Sequence, residues 1–270
     1  PKVAWIKGFQ AFNAETGGEL SGLTDYEAEC LLTKVAEKVH ELLNDDLQKT
    51  HTRTTTGWGK GETVPLTRLP MKSPVFVGRD DILKDLDRLL IENKPTVLVN
   101  GMGGLGKTEI CREWFLRHYH RFPYAGWVDY TGSLDQSFFT SLTLPGTDSP
   151  GDTVAERYRA VVSFLETKPG QVLLVVDNIE DPEPWELDDL RRLPFPVLAS
   201  SRETLHGFTE RSVDKMDMTY CKELFYRYYD VERGGEADGY VEKVMELCGF
   251  HTLTVELLAR TARNAAQPVQ

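Results

Sequence analysis

The segment Gly101-Met102-Gly103-Gly104-Leu105-Gly106-Lys107-Thr108 spaces its residues as GxxxxGK[ST]. Glycines let successive backbone N–H groups curl round one anion, and a helix starting behind them adds the positive end of its dipole. A lysine in the seventh place reaches the β- and γ-phosphates of a nucleotide, and a hydroxyl in the eighth ligates Mg2+. Lys107 and Thr108 hold those two places. A glycine-rich turn without a ligand would satisfy the spacing alone. The phosphate-binding reading also demands a strand before the loop and a helix behind it.

Asp177 follows the apolar run Val172-Leu173-Leu174-Val175-Val176. In an open parallel sheet ligands bind beyond the carboxyl ends of the strands, where a carboxylate can hold Mg2+ through its water shell. Taken alone, an aspartate after a strand is also a common turn or cap residue. The next residue, Asn178, cannot serve as a base, because an amide takes up no proton near neutral pH. Glu180 and Asp181 stand close by, as substitutes or as solvated acids. The expected turnover is at most that of a slow Mg2+-dependent ATPase.

Other clusters carry less. His118 and His120 are two apart, so on a helix they diverge and cannot share a metal. Glu180-Asp181-Pro182-Glu183 reads as a solvated loop, and Trp114, Phe115, Phe138 and Phe139 read as core.

The elements that must position these groups are legible in outline. Thr96-Val97-Leu98-Val99-Asn100 reads as a buried strand leading into the glycine loop, and a helix runs from Lys107 to about Tyr119. Ile82, Leu83, Leu86, Leu89 and Leu90 line an earlier amphipathic helix. Further strands are expected around Trp127-Val128-Asp129, at Val172–Val176 and at Val197–Ser200. Thr153-x-x-Glu156 is a capping box opening a helix to about Thr167. Strands alternating with helices predict an α/β fold, a parallel sheet flanked by helices. Beyond about residue 217 the pattern is helical, predicting a small C-terminal helical subdomain. Residues 1–47 are expected as a helical segment opened by the capping box Thr24–Glu27. Residues 48–73, with Gly57, Gly59, Gly61, Pro65 and Pro70, have linker composition. The nucleotide-binding domain is then expected over 74–216 and the helical subdomain over 217–270.

Composition bounds the partners. The 270 residues hold 31 Lys and Arg against 42 Asp and Glu, a net charge of −11. That charge repels phosphate backbones, so a general nucleic-acid binder is not expected. A local phosphate cradle of backbone N–H groups needs no net positive charge. No apolar run approaches the roughly 20 residues of a membrane span. The four cysteines, Cys30, Cys111, Cys221 and Cys248, form no CxxC pair, which fits a reducing, cytoplasmic compartment. The chain starts at Pro1 and reads as an excerpt of a longer protein.

Phe76-Val77-Gly78-Arg79-Asp80, the GMGGLGKT loop, Val175-Val176-Asp177-Asn178 and Ser200-Ser201-Arg202 occur in one order. Together they resemble the NB-ARC and related STAND P-loop NTPases, the nucleotide-gated switch modules of NOD-like immune and cell-death receptors. The resemblance spans about residues 74 to 266. It implies that Val77, Gly78 and Arg79 line an adenine pocket and that Gly101, Gly103, Gly104, Leu105, Gly106, Lys107 and Thr108 cradle the phosphates. It also implies that Thr108 and Asp177 hold Mg2+ and that Arg202 approaches the γ-phosphate. Cys248-Gly249-Phe250-His251-Thr252-Leu253 resembles the family's GLPL segment, which would bring Thr252 and Leu253 to the adenine. The usual proline is replaced by Thr252, and His251 reads as an ordinary helix-start residue. The implied function is an ADP/ATP switch, resting with ADP held between the sheet and the helical subdomain. ATP would promote self-association through the nucleotide-binding domain, with effector and sensor domains outside this segment. Trp5, Phe9 and Tyr26-Glu27-Ala28-Glu29 with the helix behind them resemble the end of a TIR domain, and read equally as any amphipathic helix. The rival from another class is an AAA-type ATPase acting on DNA or protein, which Asn178 and the acidic charge oppose. A P-loop kinase would need an arginine-rich lid, and none is present; a nucleotide-stabilised scaffold that never switches shares the same motifs.

Overall fold

Val172–Val176 has no polar interruption, and a strand of that kind must be covered on both faces. In the computed structural model all five of these residues are fully buried. The structure describes residues 63–92, 96–144, 153–229 and 237–266. The helix expected behind Thr24, the segment resembling the end of a TIR domain, Cys30 and most of the expected linker lie outside the described residues.

The chain divides into two compact units. One takes in Met102 with the described residues before it, and Gly106–Asp214; the other takes in Gly103–Leu105 and the chain from Lys215 on.

The first unit is built on β1 (Val64–Pro65), β2 (Thr96–Asn100), β3 (Tyr124–Asp129), β4 (Val172–Ile179), β5 (Val197–Ser201) and β6 (Thr209–Ser212). They form one sheet in the order β1-β3-β4-β5-β2-β6, and every pairing is parallel. Its helices are α1 (Asp80–Glu92), α2 (Lys107–His118), α3 (Leu134–Ser141), α4 (Val154–Glu166) and α5 (Pro184–Arg192). This is a P-loop NTPase α/β fold. The chain leaves β2 through α2 and returns in β3, beyond β5 and β4. β5 therefore lies between the strand that enters the glycine loop and the strand that carries Asp177, and its last residues share their end of the sheet.

β4 is not regular. Val176 pairs with Ala199 but Ile179 pairs with Ser201, so three steps on β4 match two on β5. The extra residue is a β-bulge, and Asn178 takes a left-handed conformation in it, with φ 62°. Leu98, Val128, Leu174, Val176 and Ala199 belong to the buried core.

Several elements differ from expectation. Val64 and Pro65 fall within the span of linker composition, yet they pair with Tyr124 and Ala125, and the adjoining Leu66 is fully buried. The acidic run Glu180–Glu183 does not end in open loop: Glu183 is the N-cap of α5, with Pro184 at N1. Glu186 in that helix is buried. It accepts hydrogen bonds from the Tyr130 hydroxyl (2.9 Å), the Glu183 N–H (2.7 Å) and the Leu134 N–H, and so joins the starts of α3 and α5. The expected capping box of α4 is present, with Thr153 and Glu156 exchanging hydrogen bonds.

The second unit contains α6 (Met218–Tyr229), α7 (Ala237–Leu247) and α8 (Thr252–Ala266). Cys111 and Cys221 are buried and Cys248 is half-buried. Among the described residues no helix is long and apolar enough to cross a membrane.

Candidate functional site

The loop leaves β2 at Gly101, whose φ of 141° and close approach admit no side chain: a Cβ there would stand 2.7 Å from the Val213 carbonyl oxygen. It enters α2 through Gly106, an N-cap in the left-handed region (φ 93°) that carries no capping side chain. The first-turn N–H groups of α2 are thus not taken up by a cap, as an anion site requires.

Lys107 is the first residue of α2 and is buried. Its ammonium donates to the carbonyl oxygens of Gly101 (2.7 Å) and Met102 (2.9 Å). Burial, and then the Arg202 charge, lower its pKa from 10.5 to about 8; Asp177, Cys111 and Glu180 oppose the shift.

Thr108 donates its hydroxyl to Asp177 Oδ1 at 3.2 Å. The same oxygen accepts from the Ser200 hydroxyl at 2.5 Å, and Ser200 Oγ in turn accepts from the Asn178 N–H at 2.9 Å. Burial pushes the Asp177 carboxyl above the ordinary carboxylate value, and the hydrogen bonds from Ser200 and Thr108 pull the other way. Arg202, the residue after β5, pairs through Nε with Glu180 Oε1 at 3.2 Å. Both side chains are over two-fifths exposed, so the pair is weak.

The tip of the loop belongs to the helical unit. His251 Nε2 lies 2.8 Å from the Gly103 carbonyl oxygen and Nδ1 lies 2.9 Å from Thr254 Oγ1. A carbonyl can only accept, so Nε2 carries the proton. The Leu253 N–H donates to the Gly104 carbonyl at 3.0 Å, and the Thr252 hydroxyl to that of Leu105 at 3.5 Å. His251, read from sequence as an ordinary helix-start residue, is therefore a loop contact as well. Val77, Gly78 and Arg79 stand just ahead of α1; Val77 and Arg79 are buried, and the Arg79 carbonyl accepts from the Leu83 N–H at 3.1 Å.

The NB-ARC domain matches residues 79–227. The chain belongs to the NB-ARC domain family. No curated protein matches the chain. Among solved structures, Drosophila ORC bound to DNA is similar over 69% of this chain and 61% of that chain, with 17% identity and a TM-score of 0.53. That likeness supports the fold. A Signal Transduction ATPase with Numerous Domains (STAND) protein with a tetratricopeptide repeat sensor, from Pyrococcus horikoshii, is 17% identical over 71% of this chain and 31% of that chain, with a TM-score of 0.49. A Walker-type ATPase of Pyrococcus abyssi is 14% identical over 70% of this chain and 71% of its own, with a TM-score of 0.47. The chain thus spans about a third of the length of the STAND protein it matches.

This NB-ARC chain has the P-loop NTPase fold of a nucleotide-binding module, and its donor set fits a nucleotide with Mg2+. Thr108 and Asp177 offer hard oxygen donors, the type Mg2+ prefers, and Mg2+ commonly takes one or two protein oxygens while phosphate and water supply the rest. Among the described residues no three His, Cys, Asp or Glu side chains gather into a metal cage. The structure brings Lys107, Thr108, Asp177 and Arg202 to one end of the NB-ARC sheet. Sequence reasoning assigned no role to Ser200. It entered only as part of the Ser200-Ser201-Arg202 segment of the resemblance, one residue before the end of β5, which in the observed order neighbours β4.

Proposed function

We propose that this NB-ARC module is an ADP/ATP switch of a signalling or immune-defence protein in the cytoplasm. The nucleotide-binding domain would span 74–216 and the ARC-like helical subdomain 217–270. In this reading ADP holds the resting state, and ATP promotes self-association, with effector and sensor domains supplied outside this segment. Gly101, Gly103, Gly104, Leu105, Gly106 and Lys107 receive the phosphates, Thr108 and Asp177 hold Mg2+, and Val77, Gly78, Arg79, Thr252 and Leu253 line the adenine. Arg202 senses the γ-phosphate, the group that distinguishes ATP from ADP. A ligand shifts an equilibrium only through such differential contact. Bound Mg2+ would neutralise phosphate charge.

The observation that carries this reading is the convergence of Lys107, Thr108 and Asp177, with the Thr108 hydroxyl 3.2 Å from Asp177 Oδ1. Asn178 beside Asp177 supplies no base, which supports a module that holds nucleotide more than it turns it over. The test is to denature the purified chain and identify released nucleotide by ion-exchange chromatography. Near-stoichiometric ADP is the expected result. An empty site with brisk, DNA-stimulated turnover would replace the switch with an AAA-type ATPase.

A further inference from the structure

β5 ends on Val197-Leu198-Ala199-Ser200-Ser201, and its two serines do unequal jobs. The Ser201 hydroxyl donates to the Ile179 carbonyl at 2.7 Å and fastens the far side of the bulge in β4. Ser200, 1% exposed, stands between the bulge and the carboxylate. The extra residue in β4 turns the Asn178 N–H off the regular ladder, and Ser200 Oγ takes it at 2.9 Å. An N–H can only donate, so this bond occupies a lone pair of the serine oxygen and directs the hydroxyl proton elsewhere. The group it meets is Asp177 Oδ1, at 2.5 Å. The chain of donation therefore has a fixed polarity, from Asn178 N–H to Ser200 to Asp177. Thr108 donates to the same oxygen, and Asp177 Oδ2 takes no hydrogen bond from a described residue.

We propose that Ser200 is a positioning residue for the cation half of the nucleotide site: its hydroxyl, set by the bulge at Asn178, fixes the Asp177 carboxylate so that one oxygen serves Thr108 and the other is left for Mg2+. This rests on the nucleotide-site reading above. The bulge acquires a purpose in the same step, because without it the Asn178 N–H would have no reason to face Ser200.

The test uses the 270-residue chain and measures ATP affinity by calorimetry in Mg2+ and in EDTA, with the Mg2+ midpoint for ATP binding titrated separately. Removing a group that orients a metal-holding residue typically costs about 10- to 100-fold in metal affinity. Ser200→Ala is expected to raise the Mg2+ midpoint by about tenfold or more and to bring the affinities with and without Mg2+ towards one another. Ser200→Thr, which restores the hydroxyl, is expected to return the midpoint close to wild type. A purely structural role would weaken both affinities together and leave their ratio intact; that result, or an unmoved midpoint, overturns the proposal. Should Ser200→Ala not fold, Ser200→Cys keeps the volume with a poor donor and carries the same expectation. Failure of the underlying site assignment looks different: Lys107→Ala would leave ATP binding intact, or Asp177→Asn would leave the Mg2+ midpoint unmoved.

Discussion

Lys107 is a lysine whose charge is held at a cost. Burial and the Arg202 guanidinium lower its pKa to about 8, while two loop carbonyls accept from its ammonium. A bound polyphosphate favours the charged form, so its pKa in the complex lies higher than in the free chain. Nucleotide binding above pH 8 must then take up a proton. The sign follows: affinity is near its maximum well below pH 8, falls as pH rises through 8, and declines by about tenfold per pH unit once the free lysine is neutral. Calorimetry of ADP binding from pH 6.5 to 9.5, repeated in buffers of different ionisation heat, checks both the slope and the proton uptake. A flat profile would place Lys107 away from the phosphates. Lys107→Ala removes a charge-assisted contact of about 1.5–3 kcal/mol, so ADP affinity is expected to fall by about 10- to 100-fold in direct titration. Lys107 and Thr108 stand out in the sequence because the glycine loop sets a lysine and a hydroxyl at fixed spacing, and Asp177 because it follows an unbroken apolar run. Ser200 and His251 do not. Their roles depend on which strand lies beside which, and on a helix start meeting a loop 148 residues away, and neither pairing leaves a mark in local spacing.

At the scale of elements, legibility followed apolar content. β2 and the start of β4 announce themselves as unbroken apolar runs. α5, with the sequence PWELDDLRR, has too few apolar residues to show a helical stripe, and β6, TERS, has none. The bulge in β4 lies in the residues after the apolar run, where spacing does not count strand partners. What holds α5 is a buried carboxylate. Glu186→Ala leaves the Tyr130 hydroxyl and the Leu134 and Glu183 N–H groups without their acceptor, and an unsatisfied buried donor costs about 1–3 kcal/mol. The expected loss of stability is therefore about 3 kcal/mol or more. Thr153→Ala opens α4 at an exposed cap instead, and is expected to cost about 1 kcal/mol. Urea unfolding followed by circular dichroism ranks the two. Equal losses would mean that Glu186 contributes no more than a surface cap.

The whole molecule carries −11, and that charge bears on the self-association proposed for the ATP state. Two copies approaching one another repel at long range, and salt screens the repulsion: the Debye length shortens from about 30 Å at 0.01 M to about 8 Å at 0.15 M. Contacts between copies that rest on shape and apolar burial gain from that screening, whereas contacts that rest on complementary charge lose by it. With a body this acidic, repulsion is the larger effect unless the interface gathers most of the 31 basic residues. Association in ATP and Mg2+ is therefore expected to strengthen as salt rises towards 0.15 M. Binding to duplex DNA, which depends on neutralising phosphates, would weaken steeply over the same range. Sedimentation velocity at a series of salt concentrations, with ATP or ADP saturating, separates the cases. An ATP-specific assembly that grows with salt fits a switch that closes on itself through neutral surfaces. An assembly that dissolves as salt rises would instead locate a basic patch on one copy facing an acidic patch on the next.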